Sequence, residues 1–373
     1  MQAPFQDRLA RAAASAAGAG IDALLITPGA DLRYLVGYQA LPLERLTCLA
    51  IPATGEPFLV VPALERAAAE ASGATDHVSL ATHGETEDAF QLVARRLADA
   101  LGGSPRSIGV SDRMWAQQVV RFTDTIGGAT LSLAGDVLRP LRLRKLPDEV
   151  DALRVAAAAI DRVHSRMGEW LRPGRTEAAV ARDIGEAILV EGHTSVNFVI
   201  VGSGPNGASP HHHVSDRVIE PGDPVVIDIG GTMADGYCSD CTRTYVAGEQ
   251  PPSDFADYYE VLLAAQRASC AHVRPGVTAH SVDAAARQVI ADAGYGELFI
   301  HRTGHGIGLE EHEEPWIVEG SQVVLEPGMC FSIEPGVYLP GRHGARIEDI
   351  VVVTDDGVER LDTIERELVV LGA

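Results

Sequence analysis

"PVVIDIGGTMADGYCSDCTRTYV", residues 224–246, decides how the second half of this chain folds. A nearly continuous apolar run, a glycine-bearing turn and a second run read as a β-hairpin. Two acids, Asp228 and Asp240, interrupt the apolar strands. Folded symmetrically about Ala234, the hairpin sets them directly opposite each other, where cross-strand Cβ atoms lie about 5 Å apart. Like charges so placed repel, so something must compensate them.

The same figure recurs downstream. "MCFSIEPGVYLPGRHGARIEDIVVV", residues 329–353, folded about Gly341, pairs Glu334 with Glu348. The offset from Asp228 to Glu334 is 106 residues, and from Asp240 to Glu348 it is 108. A helical pattern precedes each hairpin: "RPGRTEAAV" begins at Arg172 and "RPGVTAHSV" at Arg274, an offset of 102. In both, Pro-Gly ends one helix and Thr176 or Thr278 stands where it can cap the next. Gly192 and Gly294 close those second helices. This is an internal duplication. Two copies related by an approximate two-fold axis bring both hairpins to one centre.

Four carboxylates in one place require roughly four positive charges, which two divalent metal ions supply; shared protons neutralise a pair more readily than a foursome. In "HRTGHGIGLEEHE", residues 301–313, Gly304, Gly306 and Gly308 frame His305, the candidate fifth ligand. Carboxylates with one imidazole suit Mn, Co, Fe or Zn better than a structural zinc site, which favours thiolates. The competing reading makes the acids edge-strand surface charges.

Upstream of residue 140 the chain alternates α and β. A helix near 5–18 precedes the strand "DALLIT"; "TCLAIPATGEPFLVVP" reads as two strands joined at Gly55; "ETEDAFQLVARRLADAL" is helical by period; "SIGVSD" is a further strand. No catalytic constellation lies there. Pro147, Asp148 and Glu149 open a long helix, and the domain boundary is placed at 142/143.

Composition narrows the classes. The 373 residues carry a formal net charge of −22, which disfavours nucleic acid as a partner. Five scattered cysteines are no disulfide framework and point to a reducing cytoplasm. The N-terminal "MQAPFQDRLARAAASAAGAG" is interrupted by Asp7, Arg8 and Arg11, so it reads as an amphipathic helix rather than a signal peptide. No run of about 18 apolar residues exists, so no membrane span is expected. Cys238 and Cys241 form a CxxC, but a separation of three on a strand points them to opposite faces. "GSGPNG" lacks the Lys and Ser/Thr of a phosphate loop.

The motifs "VIDIGGTMADGYCSD", "HRTGHGIGLEEHE", "SIEPGVY" and "RIEDIVVV" jointly resemble those of proline-specific metallopeptidases of the pita-bread (M24) fold, the group of prolidase and aminopeptidase P. The resemblance covers the whole chain. It implies an α+β protein: a pita-bread catalytic domain with an internal pseudo-two-fold repeat over 143–373, preceded by an α/β creatinase/prolidase-like N-terminal domain over 1–142. It implies that Asp228, Asp240, His305, Glu334 and Glu348 bind two divalent ions, manganese first among Mn, Co, Zn and Fe, with Asp240 and Glu348 bridging. A bridging hydroxide would attack the scissile carbonyl, with Glu334 as general base. The substrate expected is an Xaa-Pro dipeptide or short peptide, and the assembly a cytoplasmic homodimer. His211 matches a catalytic histidine of prolidases, His312 a histidine that hydrogen-bonds the substrate or intermediate, and His301 a lining residue of the proline pocket. His212 and His213 read as exposed. Arg346, two residues before Glu348, steadies a bridging carboxylate or the substrate, a plain ion pair being the alternative. Glu311 departs from the apolar residue usual before His312, which bears on specificity. The alternatives are aminopeptidase P, which takes longer X-Pro peptides, and a hydrolase or lyase acting on another small substrate. A non-catalytic binding protein is disfavoured by the complete ligand set.

Overall fold

The computed structural model describes residues 5–372. The first four residues, which the sequence reading joined to the N-terminal amphipathic segment, lie outside them. The chain divides between Arg142 and Leu143 into two compact units.

The first unit is built on a six-stranded mixed sheet. Its order in space is Ser79–His83, Phe58–Pro62, Cys48–Pro52, Ala23–Ile26, Ser107–Val110, Thr130–Leu133. Leu25, Val60, Val93, Leu97 and Phe122 form its core. The helix read from "ETEDAFQLVARRLADAL" begins only at Ala89, because the Asp88 side chain accepts from the backbone N–H of Phe90 and Gln91 and so caps it.

The second unit shows the duplication in its backbone hydrogen bonds. Gly174 N–H donates to Ile219 O at 2.9 Å, and Gly276 N–H donates to Leu325 O at 2.9 Å. Thr176 bridges Val218 as Thr278 bridges Val324. Both threonines cap as expected: Thr176 accepts from Ala179 N–H and Thr278 from Ser281 N–H. Each copy lays helices over a sheet. Pro147–Ser165 and Glu177–Val190 bury Ile160, Val163, Ile184 and Ile188 against Val201, Ile227, Ile229 and Tyr245. Ser253–His272 and Ala279–Asp292 bury Cys270 and Val282 against Phe331, Ile333 and Val351.

The first of these sheets runs Val369–Leu371, Cys238–Ala247, Pro224–Thr232, Ser195–Ser203. Its central hairpin is buried along both strands, so Asp228 and Asp240 are not edge-strand surface charges. The register corrects the sequence reading, however. Asp228 opposes Thr242, and Asp240 opposes Gly230. The turn is closed by Met233 N–H donating to Tyr237 O, with Gly236 at φ 98°, so the hairpin is centred on Asp235 rather than Ala234. The two aspartates are diagonal neighbours on one face, not direct partners. In the second hairpin the expected register holds. Ile333 opposes Asp349 and Gly336 opposes Arg346, which carries Glu334 opposite Glu348.

Candidate metal centre

His305 sits at the middle of a three-residue strand, Gly304–Gly306, flanked by Glu313–Ile317 and Cys330–Ile333. The flanking strands leave no space for side chains beside it. A Cβ on Gly304 would lie 1.8 Å from Ser332 O, and one on Gly306 would lie 2.1 Å from Glu314 O. The glycine frame is therefore a packing requirement that lets His305 reach inward. Its Nδ1 meets Gly306 O at 3.2 Å. A carbonyl can only accept, so Nδ1 carries the hydrogen and Nε2 is left as a lone pair. Nε2 faces Glu334 Oε1 at 3.3 Å and Asp240 Oδ2 at 3.7 Å. Burial, and then neighbouring His312, hold the imidazole well below its ordinary range. A neutral ring with a free Nε2 is the form that ligates metal.

The carboxylates converge on that nitrogen from both hairpins. Asp228, Asp240 and Glu348 place oxygens within 4.8 Å of one another, and so do His305, Glu334 and Glu348 through their own ligand atoms. Asp240 and Glu348 are 3% and 1% exposed. Burial first, then mutual repulsion, pushes both well above the carboxylate range. Burial also lifts Glu334 to about 7, against the pull of Arg346. Asp228 Oδ1, Asp240 Oδ1 and Glu348 Oε1 are buried without a hydrogen-bond partner. A buried carboxylate oxygen left unpaired costs free energy. Three of them clustered beside one neutral imidazole fit a divalent-cation site, and an O/N donor set without thiolate suits hard to borderline ions.

The hairpins are clipped together by residues that the sequence reading passed over. Thr242 Oγ1 donates to Glu348 Oε2 at 2.8 Å and accepts from Arg346 Nε at 3.1 Å. Thr244 Oγ1 donates to Arg346 O and accepts from Arg346 N–H. Alternation along the strand was the available signal: Thr242 and Thr244 lie on the same face as Asp240. Arg346 itself pairs with Asp228 Oδ2 at 2.6 Å rather than with Glu348. Its Nη1 donates to Tyr338 OH at 2.8 Å and to Pro210 O at 3.2 Å. It thereby anchors the segment that carries His211. Burial works against the Arg346 charge, but Tyr338, Asp228 and Glu334 outweigh it and hold it firmly protonated.

A cavity of about 500 Å³ opens above this centre. Every side chain that the sequence reading made a ligand, catalytic or substrate-binding candidate lines it: Asp228, Asp240, His305, Glu334, Glu348, His211, His301, His312 and Arg346. Phe198, Ile200, Arg302 and Glu311 also line it, and of these only Glu311 stood out in the sequence. His312 is exposed, with its ring centroid 3.9 Å from that of His305. His301 Nδ1 donates to Arg302 O, so its Nε2 accepts from Tyr338 O–H at 2.9 Å. Burial, then Arg346, depresses His301 to about 3, and it stays neutral. His211 is exposed at the mouth. One expectation fails: His212 is not a free surface residue but meets Glu177 Oε2 at 2.8 Å. Glu177 also accepts from Ser203, Asn206 and Ser215 and so ties the loop to its helix.

Comparison with known proteins agrees with this geometry. Residues 151–355 match the model of metallopeptidase family M24, and residues 8–144 match the creatinase/prolidase N-terminal domain. The chain is 55% identical over 368 residues to the probable dipeptidase PepE of Mycobacterium tuberculosis, covering 98% of this chain and 96% of that protein. It is 38% identical over 358 residues to the Xaa-Pro dipeptidase of Lactobacillus delbrueckii subsp. lactis, covering 94% and 95%. Among solved structures, dipeptidase PepE from Mycobacterium ulcerans superposes with a TM-score of 0.93 at 54% identity, covering 100% of this chain and 99% of that one. The recombinant prolidase from Thermococcus sibiricus gives 0.92 at 36%, covering 98% and 99%. An α+β pita-bread unit preceded by a creatinase-type α/β unit, with an oxygen-rich centre at the meeting of two hairpins, makes this chain a member of metallopeptidase family M24.

Proposed function

We propose that the chain is a prolidase-like peptidase that hydrolyses Xaa-Pro bonds in dipeptides or short peptides. On this reading two divalent ions, manganese foremost, are held by Asp228, Asp240, His305, Glu334 and Glu348. The observation that carries it is the cluster of buried carboxylates, three of them with an unpaired oxygen, gathered around a neutral imidazole nitrogen. The bound ions would neutralise the acids and acidify a water.

The chain's own residues do the rest. Glu334, poised near neutrality, suits a general base. His211 and His312, both exposed on the cavity wall, would donate hydrogen bonds to the substrate and to the oxyanion that forms at its carbonyl. Phe198, Ile200 and His301 offer a mostly apolar wall suited to a proline ring. Arg346 positions Asp228 and, through Pro210, His211. The domain division at 142/143, a homodimer and a cytoplasmic setting complete the reading. All five cysteines are free and buried, in keeping with a reducing compartment, and no helix among the described residues is long and apolar enough to cross a membrane.

The test is chelation followed by add-back of Mn, Co or Zn, with hydrolysis of Ala-Pro compared with a longer X-Pro peptide. Metal-restored cleavage of the dipeptide alone is expected. Equal cleavage of the longer peptide would make the chain an aminopeptidase. Metal uptake of about two ions per chain without cleavage of either would move the substrate to another small amide.

A further inference from the structure

We infer that Glu177 and Lys145, which lie outside the cavity, are positioning residues that hold His211 and His312 over the acid centre. The inference rests on the peptidase reading above, which gives those two histidines their work.

Each histidine is followed by a residue that turns elsewhere. His211 and His312 line the cavity, whereas His212 and Glu313 are not among the residues of its wall. Both followers reach a buried partner instead. His212 Nε2 lies 2.8 Å from Glu177 Oε2, and Lys145 Nζ donates to Glu313 Oε1 at 2.5 Å. Glu177 is wholly buried, and the Lys145 and Glu313 side chains are 2% and 9% exposed. The partners stand 35 and 168 residues apart, so neither contact is a local turn.

The Glu177 carboxylate gathers the whole loop that carries His211. Ser203 donates to it through its N–H at 2.8 Å and its Oγ at 2.7 Å, Asn206 through Nδ2 at 3.0 Å and Ser215 through Oγ at 2.7 Å. Burial works against the Glu177 charge, but those hydrogen bonds outweigh it and hold the carboxyl below its ordinary range. On the other side of His211, Pro210 O accepts from Arg346 Nη1. Both chain neighbours of His211 are thus pinned, and consecutive Cα atoms are only about 3.8 Å apart.

Glu313 does the same for His312, which lies in the loop between the strands Gly304–Gly306 and Glu313–Ile317. That loop folds back onto its own anchor: a Cβ on Gly308 would lie 2.7 Å from Glu313 Oε1. Lys145 is fixed in turn by its N–H, which donates to Gly328 O at 2.8 Å. A buried ion pair adds little net stability, because desolvation offsets its attraction. What it supplies is one allowed geometry. A misplacement of about 1 Å at a reacting centre costs about a hundredfold in rate, so exposed histidines on loops need such anchors.

The test is a set of double-mutant cycles on the metal-loaded enzyme with Ala-Pro. Glu177→Gln should lower kcat by about 10–100-fold with metal content unchanged. It should cost less than about twofold more in a His211→Ala background, yet keep its full effect in a His312→Ala background. Lys145→Met should mirror this, its effect vanishing with His312→Ala and persisting with His211→Ala. The neutral pair Lys145→Met with Glu313→Gln leaves no buried charge unpaired; it should fold and show the same loss. His212→Gln, which keeps an N–H donor, should retain most of the activity that His212→Ala loses. Losses that add fully in every background, or that follow a loss of metal, would overturn the inference. If the wild-type enzyme cuts no peptide, the peptidase reading fails, and the anchors are judged by carbethoxylation with diethyl pyrocarbonate, resolved by peptide mass spectrometry. Each anchor variant should then change the rate at its own histidine severalfold and leave the other unchanged. Unchanged rates, or equal changes at both histidines, would overturn the anchors.

Discussion

Glu348 turns toward Asp228, Asp240 and Glu334, with Arg346 the guanidinium that acts on it. The next residue, Asp349, faces the other way into a cage of cations. Arg243 Nη2 lies 2.7 Å from Asp349 Oδ1, Arg366 Nε 2.7 Å from Oδ2 and Arg360 Nε 3.1 Å from Oδ2, and Gln266 donates a further hydrogen bond. Both acids are almost wholly buried. Burial raises both, but at Asp349 the arginines overcome it and the carboxyl ends below its ordinary range, whereas Glu348 ends well above. One strand thus carries a satisfied structural acid beside an unsatisfied one. The difference separates what holds the fold from what waits for a ligand: a buried carboxylate with matched cations is architecture, and one crowded by other carboxylates is a site.

The largest test of this contrast is Asp240→Ala. If the acid centre holds catalytic metal, hydrolysis should fall by about 10³-fold or more, since the ions are worth several kcal/mol at the transition state. Bound metal, measured by plasma mass spectrometry, should drop with it. The metal-free variant should melt no lower than metal-free wild type, because a buried carboxyl group with an unpaired oxygen, crowded by other acids, has been removed. Full activity, or a collapsed melting temperature, would break the distinction.

Asp349→Ala should do the converse. Removing the carboxylate leaves three buried or half-buried guanidinium groups facing one another, at a cost of about 3–5 kcal/mol. Urea unfolding should register that loss, while the folded remainder still binds metal. Unchanged stability would mean that the arginines find other partners.

A pH series sharpens the comparison. Glu334 is raised from 4.5 to about 7, and Asp240 and Glu348 are raised as well. The metal-free folded state therefore keeps protons that the unfolded chain has released. Its stability should fall as pH rises from about 4.5 toward 7. Asp349, being lowered, acts with the opposite sign: its contribution is present above its ordinary value of 3.8 and is lost as pH falls below it. Thermal melts from pH 5 to 8 with chelator should show the first slope, and melts with metal should not. A slope indifferent to metal would mean that the raised acids are not ligands.

The smallest expected effect is at the seam. Thr242→Val removes the donor to Glu348 and the acceptor for Arg346 Nε. Loss of such an orienting contact should weaken metal affinity by about 10–100-fold and stability by about 1 kcal/mol. Metal titration of the two proteins reads the first and chemical denaturation the second.

Much of this was legible in the chain, because periodicity and capping are local. The helices around Thr176 and Thr278, the duplication and the hairpins all announce themselves in apolar pattern, Pro-Gly stops and cap residues. Acids inside apolar strands marked the centre, since a strand gives up burial only for chemistry or for a partner. The edge strands Ser79–His83 and Thr130–Leu133 escaped notice, being short, polar and only partly covered. Register was half legible. A symmetric fold about Gly341 gave the second hairpin, but at the first the turn geometry of Gly236 overrode symmetry and moved the centre by one residue. The partners of each charge were not legible. That Arg346 serves Asp228, that Thr242 steadies Glu348, that His212 belongs to Glu177 and that Lys145 reaches Glu313 all depend on contacts between segments far apart in the chain. A sequence determines which groups are buried together through local pattern. Which charge meets which within that space is settled only when the hairpins and the long loops are packed, because electrostatic pairing depends on distances of a few ångströms that no local spacing encodes.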